Sequence, residues 1–251
     1  MNDFIKDPIP LQDSWNWNLA RRPLIKESKE PLINAGLYPK KILIDPQYFI
    51  QRISGSLPAV YIRQGVFKRL LKACSFLPAG YKLVLFDVWR SNRCQQALFN
   101  ILKNRLKKFH PNFSDKKLER QTRITVAPPA KDIKNAPSPH NTGGAVDLAI
   151  LDNTGQLLDF GTPFDDSTEK AQTNYFEKKL QKHKISSSFE KKIVQNRRLL
   201  YNILIHVGFS NYADEWWHFD FGNQNWAWRT KHKNAIYGTI APHFAWKNNF
   251  T

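Results

Sequence analysis

Hydrophobic positions along the chain follow helical and extended periods in turn, and these periods predict the main elements. The predicted helices span residues 61–77, 92–109 and 189–207, and the predicted strands span residues 81–89, 122–127, 145–151 and 215–222. Helices and strands mix without a regular βαβ rhythm. We therefore expect a single α+β domain with a mainly antiparallel sheet flanked by helices.

The first 60 residues lack this periodicity and are rich in proline. They are expected to form an N-terminal arm packed on the core, while residues 61–251 form the domain that carries the chemistry. The chain contains no internal repeat, no glycine-rich phosphate loop and no dinucleotide fingerprint.

The chain has 251 residues, of which 41% are hydrophobic, and this composition is typical of a folded protein. The formal net charge of +17 favours anionic partners, but lysine and arginine are scattered along the chain. The densest basic run, residues 178–192, is typical of a solvated surface. Without a zinc-finger or RNA-binding motif, charge alone does not indicate nucleic acid as a partner. Two cysteines are too few for a disulfide scaffold, and reduced core thiols are expected.

Targeting signals are missing from the sequence as well. The first residues do not combine a basic start with an apolar run, and no apolar stretch approaches 18 residues. The sequence therefore predicts a cytoplasmic protein without a membrane span. It contains no feature that defines an oligomeric state.

Two short segments carry most of the candidate chemistry, SPHNTGGAVD at 138–147 and DEWWHF at 214–219. In the strand that follows the glycines, alternation places Asp147 between two alanines on one face, which leaves room around the carboxylate. The turn at the two glycines allows His140 to come back toward Asp147. His218, on a later strand, would complete a set of three ligands.

Two histidines and one aspartate suit zinc, whose bonds to nitrogen and oxygen are about 2.0–2.2 Å long. Three protein ligands leave the fourth position open, as a catalytic zinc requires. Non-haem iron uses the same ligand set, although iron oxygenases do not require a neighbouring glutamate and arginine. The sequence predicts one Zn²⁺ per chain.

Glu215 and Arg90 are the candidate catalytic side chains. In a regular strand Glu215 would face away from His218, so it can reach the metal site only from a turn before the strand begins. From there it would take a proton from an attacking water and return it to the leaving amine. Arg90 follows a predicted strand, where Asp87 can hold its guanidinium in place to stabilise an oxyanion.

Both segments, together with DVWR at 87–90, FGTPFDD at 160–166 and NRRLLYNILIHVGF at 196–209, resemble the D-alanyl-D-alanine dipeptidases, the VanX-like branch of the zinc DD-peptidases. The similarity covers about residues 81–228. It implies a hedgehog/DD-peptidase-like fold for residues 61–251.

Residue by residue, the resemblance implies roles that agree with the chemistry above. It implies zinc ligands at His140, Asp147 and His218, a catalytic base at Glu215 and transition-state stabilisation by Arg90. It further implies that Ser138 and Asp165 hold the free amino group of the substrate. Asp87 is grouped with these substrate-binding residues.

The leading hypothesis is a zinc dipeptidase that cleaves a small D,D-dipeptide, D-Ala-D-Ala, with a metal-activated water. One alternative is a DD- or LD-carboxypeptidase acting on peptidoglycan stem peptides, which the basic surface favours. The other is a non-catalytic zinc-containing module that binds an anionic polymer. The presence of both Glu215 and Arg90 argues against this last alternative, because a silent module needs neither.

Overall fold

The computed structural model describes residues 2–12, 15–182 and 187–243. The strands are β1 Leu24–Ile25, β2 Leu32–Asn34, β3 Ile42–Ile44, β4 Tyr61–Arg63, β5 Lys82–Asp87, β6 Ala145–Leu151, β7 Ser210–Asn211, β8 His218–Asp220 and β9 Asn234–Ala235. The α-helices are α1 Asn2–Lys6, α2 Trp17–Ala20, α3 Gln47–Ile50, α4 Gln64–Cys74, α5 Asn92–Phe109, α6 Asp115–Thr125, α7 Tyr175–Gln181, α8 Ser188–His206 and α9 Gln224–Arg229. Short 3₁₀ helices span Ala35–Leu37, Pro139–Thr142 and Glu169–Ala171.

The central sheet has five strands in the order β3-β5-β6-β8-β7. β3 runs parallel to β5, and every other neighbouring pair in this sheet is antiparallel. Two smaller ribbons flank it, a parallel pair of β1 with β9 and an antiparallel pair of β2 with β4. The α+β architecture with a mainly antiparallel sheet is therefore confirmed.

The core lies around the central sheet and is covered by α4 and α8, which contact each other. β6 is the middle strand, and its residues from Ala145 to Ile150 are buried on both faces. A strand covered on both sides must be almost wholly apolar, so the buried carboxylate of Asp147 in its middle requires compensating partners.

The N-terminal arm contributes to the sheet as well as covering it. β3 lies within the first 60 residues and forms an edge strand beside β5. α1 packs on α8, where Asn202 donates hydrogen bonds to the backbone carbonyls of Phe4 and Asp7 at 2.8 and 2.9 Å. The division of the chain at residue 60 stays a prediction, but the residues before it belong to the packed structure.

Most predicted elements are found close to their predicted bounds. α5 and β6 match the predicted bounds, and α8 lies within one residue of the prediction at each end. The helix predicted from residue 61 begins at Gln64, because the three residues before it pair with β2. The last strand is shorter than predicted and begins only at His218.

The prediction of a strand at residues 122–127 is wrong. Residues up to Thr125 belong to α6, whose N-cap Ser114 accepts a hydrogen bond from the amide of Lys117. Leu118 and Thr122 are fully buried one helical turn apart, and the Thr122 hydroxyl donates to the Leu118 carbonyl at 2.8 Å. The β-branched residues up to Thr125 therefore lie in a capped helix, because burial of one helix face outweighs their preference for strands.

Two smaller expectations concern the cysteines and the membrane. Cys74 and Cys94 are buried free thiols, as expected. Among the described residues, no helix combines the length and the apolar character that a membrane crossing requires.

Candidate metal centre

Three candidate site residues lie in one row across the central sheet. Asp147 on β6 is directly opposite Asp87 on β5 and directly opposite His218 on β8. Residues directly opposite each other in an antiparallel pair have neighbouring side chains. The strand register therefore brings together residues that are 60 and 71 positions apart from Asp147 in sequence.

His140 reaches this row from a tight turn before β6. It lies in the 3₁₀ helix Pro139–Thr142, which ends at Gly143 with a left-handed φ of 68°. At Gly144 the backbone comes so close to β8 that an added Cβ would lie 2.4 Å from the Phe221 carbonyl oxygen. The predicted role of the two glycines in returning His140 toward Asp147 is consistent with this turn.

His140, Asp147 and His218 are buried, and they converge on one point. The Nε2 atom of His140 lies 3.2 Å from Nδ1 of His218, and that Nδ1 atom lies 2.9 Å from Oδ1 of Asp147. His140 Nε2 is also 3.4 Å from Oδ2 of Asp147. Ligand atoms around a tetrahedral zinc with bonds near 2.05 Å are separated by about 3.3 Å. The spacing of the donor atoms of these three residues therefore fits a zinc ion.

The other ring nitrogen of each histidine has its own acceptor. Nδ1 of His140 lies 2.8 Å from the Val88 carbonyl, and Nε2 of His218 lies 3.2 Å from Oδ2 of Asp220. When these nitrogens carry protons, the two facing nitrogens present lone pairs to the same point. Such lone pairs repel each other unless a cation lies between them, which again fits a metal.

Asp220 is held as an acceptor by two asparagines. Asn223 donates to Oδ1 at 2.6 Å and Asn225 donates to Oδ2 at 3.2 Å. Asp220 is fully buried, and although burial raises its pKa, His218 and these hydrogen bonds lower it below the usual range. The carboxylate therefore remains charged and orients the ring of His218.

Arg90 is fixed beside the metal ligands by three elements. Its Nε atom donates to Oδ2 of Asp87 at 2.9 Å, and Nη1 donates to the side chain of Gln95 at 2.7 Å. Nη2 lies 3.5 Å from Oδ2 of Asp147. Burial raises the pKa of Asp87, but Arg90 and His140 outweigh it and lower this pKa to about 2, so the pair stays charged. The expected Asp87–Arg90 salt bridge is present.

Glu215 lies in the turn before β8, as its predicted role requires. Its backbone amide donates to the Tyr212 carbonyl at 3.1 Å, and its carboxylate lies 3.8 Å from Nδ1 of His218. The side chain is 30% exposed, so a ligand can reach it. Burial, opposed by His218 and reinforced by Asp147, raises the pKa of Glu215 to about 8.

Asp165 and Ser138 occupy different surroundings. Asp165 is an exposed residue whose carboxylate accepts hydrogen bonds from the Tyr48 hydroxyl, at 3.3 Å to each oxygen. Desolvation of this carboxyl group raises its pKa, Arg90 lowers it, and Asp147 raises it further. Ser138 precedes the 3₁₀ helix of His140, and its hydroxyl is buried without a hydrogen-bond partner among the described atoms. The substrate-binding roles of both residues stay predictions.

The FGTPFDD loop packs against the EWWH segment through aromatic side chains. Phe160 stacks on Trp216 at 4.2 Å between ring centroids, and the Trp216 indole donates to the Thr162 hydroxyl at 2.9 Å. Phe164, next to Asp165, contacts Trp217 at 5.5 Å. The two motifs therefore form one packed unit that fixes Asp165 and Glu215 relative to each other.

Three residues of this site are absent from the sequence predictions. The sequence did contain a signal for Asp220 as a neighbour of His218, because Asp220 lies two residues later and therefore on the same face of a strand. Gln95 and Tyr48 had none, since their contacts with Arg90 and Asp165 depend on how distant segments pack.

Comparison with known proteins agrees with this geometry. Residues 62–237 match the peptidase M15 family, described as D-Ala-D-Ala dipeptidase. A Synechocystis protein named D-alanyl-D-alanine dipeptidase is 28% identical over 86% of this chain and 92% of its own length. An Escherichia coli protein of the same name is 27% identical over 57% of this chain and 56% of its own.

Among solved structures, a mutant of the vancomycin resistance D,D-pentapeptidase VanY in complex with Zn(II) is similar at a TM-score of 0.44 and 13% identity. The match covers 88% of this chain and 96% of that one.

The metal centre and the family match together define a zinc metallopeptidase. The chain belongs to the peptidase M15 family, the D-Ala-D-Ala dipeptidase family.

Replacing Asp220 by Asn should weaken zinc binding about 10- to 100-fold. The new amide would place a donor against Asn223 and Asn225 and lose the charge that orients His218. Competition with a chromophoric chelator measures the zinc dissociation constant. Asp115, whose side chain is 78% exposed on α6, supplies the matched Asp→Asn control. Equal zinc affinity in both variants would contradict the role given to Asp220.

Zinc binding near pH 7 should release more protons from the wild-type chain than from Glu215→Gln. With a pKa raised to about 8, Glu215 is mostly protonated at pH 7, and a cation on the adjacent ligands favours its ionised form. The difference should approach one proton at pH 7 and disappear well above pH 8. Titration calorimetry in two buffers of different ionisation enthalpy measures it. Equal proton release at pH 7 would show that Glu215 is not the group that titrates.

Proposed function

We propose that the protein is a dipeptidase that hydrolyses D-Ala-D-Ala, with His140, Asp147 and His218 as the ligands of one zinc ion. One observation carries this proposal. The buried donor atoms of His140, Asp147 and His218 converge on one point, and the Glu215 carboxylate lies 3.8 Å from Nδ1 of His218. The names of the Synechocystis and E. coli relatives support the same substrate.

When bound, zinc would polarise the scissile carbonyl and lower the pKa of a water molecule. Glu215 would accept the proton of that water and then donate it to the leaving amine. Its position supports this task, since it lies beside His218 and remains partly open to solvent. A cation on the adjacent ligands would favour the ionised form of Glu215, which is the form that accepts a proton from water.

Arg90 would stabilise the negative charge that develops on the carbonyl oxygen. Oδ2 of Asp87 lies 2.9 Å from Nε and 2.8 Å from Nη2, and Nη1 donates to Gln95 at 2.7 Å. Nη2 carries a second N–H group, and the 3.5 Å between Nη2 and Asp147 is too long for a strong hydrogen bond, so this second donor is available to an oxygen beside the metal ligands. Because Asp87 and Gln95 fix the guanidinium in advance, little reorganisation is needed during the reaction.

Asp165 would bind the free ammonium group of the substrate. Its carboxylate is accessible, and among the described side chains no lysine or arginine lies within ion-pair distance of it. An ammonium group would supply the missing positive partner. A longer peptide has an amide nitrogen at this position and cannot make the same ion pair, which would restrict the site to dipeptides. Ser138 is the second residue proposed for this group.

Glu215→Gln should retain zinc and lose about 10²- to 10⁴-fold in kcat for D-Ala-D-Ala, because the amide is similar in size and cannot accept the proton. Metal analysis of the purified chain and a D-alanine release assay provide the two measurements. Glu119→Gln is a matched control on the surface of α6, where the carboxylate pairs with Arg123 at 2.6 Å. Full activity of Glu215→Gln would show that another group moves the proton.

A substrate panel should show hydrolysis of D-Ala-D-Ala with little activity on L-Ala-L-Ala or on a muramyl pentapeptide that ends in D-Ala-D-Ala. The ammonium requirement at Asp165 is the reason for the low activity on the pentapeptide, whereas L-Ala-L-Ala carries the same ammonium group and tests the configuration of the substrate. Release of D-alanine only from the pentapeptide would instead identify a carboxypeptidase, the activity that the basic surface favours. Salt-sensitive polymer binding without any peptide hydrolysis would identify a non-catalytic zinc module.

A further inference from the structure

Tyr48 of the N-terminal arm lies at the same sheet edge as the catalytic candidates. It belongs to α3, which follows β3 after two residues. β3 and β5 run parallel, and the Asp45 amide extends the pairing by donating to the Leu85 carbonyl at 2.8 Å. Because parallel strands end at the same edge of a sheet, α3 lies beside the segment that carries Asp87 and Arg90.

The Tyr48 side chain contacts two functional candidates at once. Its hydroxyl lies 3.3 Å from both carboxylate oxygens of Asp165. The guanidinium carbon of Arg90 lies 4.8 Å from the centre of its ring, in cation–π contact. The ring is also 5.9 Å from that of Phe164. Tyr48 is only 5% exposed, so its orientation is set by packing.

Asp165 lies at a turn in an exposed loop. Its φ of 66° is in the left-handed region, which aspartate adopts more readily than most other non-glycine residues. On an exposed loop, the carboxylate would otherwise be free to rotate. A shared hydrogen bond from Tyr48 fixes the plane of the carboxylate and leaves further lone pairs on both oxygens for a ligand. Burial raises the pKa of the Tyr48 phenol well above its usual range, so this group remains a donor.

We propose that Tyr48 is a specificity-determining positioning residue: its hydroxyl orients Asp165 toward the free ammonium group of the substrate, and its ring supports Arg90. This inference rests on the proposed function, in which Asp165 binds that ammonium. It assigns part of the recognition of the dipeptide to the arm, outside the segment that matches the family at residues 62–237.

Tyr48→Phe tests the hydroxyl alone, since the ring that packs on Arg90 remains. We expect KM for D-Ala-D-Ala to rise about tenfold with kcat nearly unchanged, because a hydrogen bond to a charged group is lost. The inhibition constant of N-acetyl-D-Ala-D-Ala, which lacks the ammonium, should not change. Tyr38→Phe is the matched control, because it removes the hydroxyl of a tyrosine that is 45% exposed.

Tyr48→Leu tests the ring. Without the ring, Arg90 loses its cation–π support, so kcat should fall in addition to the rise in KM, while bound zinc remains at one per chain. A purely structural role predicts instead that KM for D-Ala-D-Ala and the inhibition constant of the acetylated compound rise together. Either that result or an unchanged KM in Tyr48→Phe would overturn the inference.

Asp165→Asn separates this inference from the proposed function. If Asp165→Asn raises KM and Tyr48→Phe does not, ammonium binding by Asp165 stands and the role of Tyr48 fails. If Asp165→Asn leaves KM unchanged, ammonium binding by Asp165 fails and the inference fails with it. If both variants raise KM and neither changes the inhibition constant of the acetylated compound, both proposals are supported.

Discussion

The structure depends on a concentration of negative charge at the centre of a basic protein. Although the chain carries a formal charge of +17, five of its 21 acidic residues gather around the metal centre. These residues are Asp87, Asp147, Asp165, Glu215 and Asp220. Burying carboxylates is costly unless cations and hydrogen-bond donors lie beside them. Arg90 and the histidines supply part of this compensation, and a zinc ion between the imidazole nitrogens would supply more.

The central sheet and the FGTPFDD loop at 160–166 hold these acidic residues in different ways. The register of β5, β6 and β8 fixes Asp87, Asp147 and His218 in one row, so their spacing is as rigid as the backbone ladder. Asp165 and Glu215 instead lie on irregular segments, and the packing of Phe160 on Trp216 joins these segments. Rigidly held candidate ligands, with the proposed base and the proposed amino-group site held on separate segments, suit a hydrolytic metal centre.

Patterns in the local sequence correctly predicted how a residue is placed when its partners are close to it in sequence. Alternation and the two glycines related His140 to Asp147, and strand parity placed Glu215 in a turn, where the structure has it. The same rules failed at residues 122–127, where β-branched residues suggested a strand although a capped helix buries Leu118 and Thr122. Propensity is a weak signal when helix packing opposes it.

Tyr48 marks the limit of such rules, because its partner Asp165 is 117 residues away. The contact exists because β3 pairs parallel to β5 and thereby sets the position of α3, and a proline-rich segment without periodicity gives no sign of this pairing. The three candidate metal ligands lie within the family match at residues 62–237, whereas Tyr48, which contacts Asp165, lies in the arm before it. The proposed role of Tyr48 therefore places part of substrate recognition in a segment that local sequence patterns describe least well.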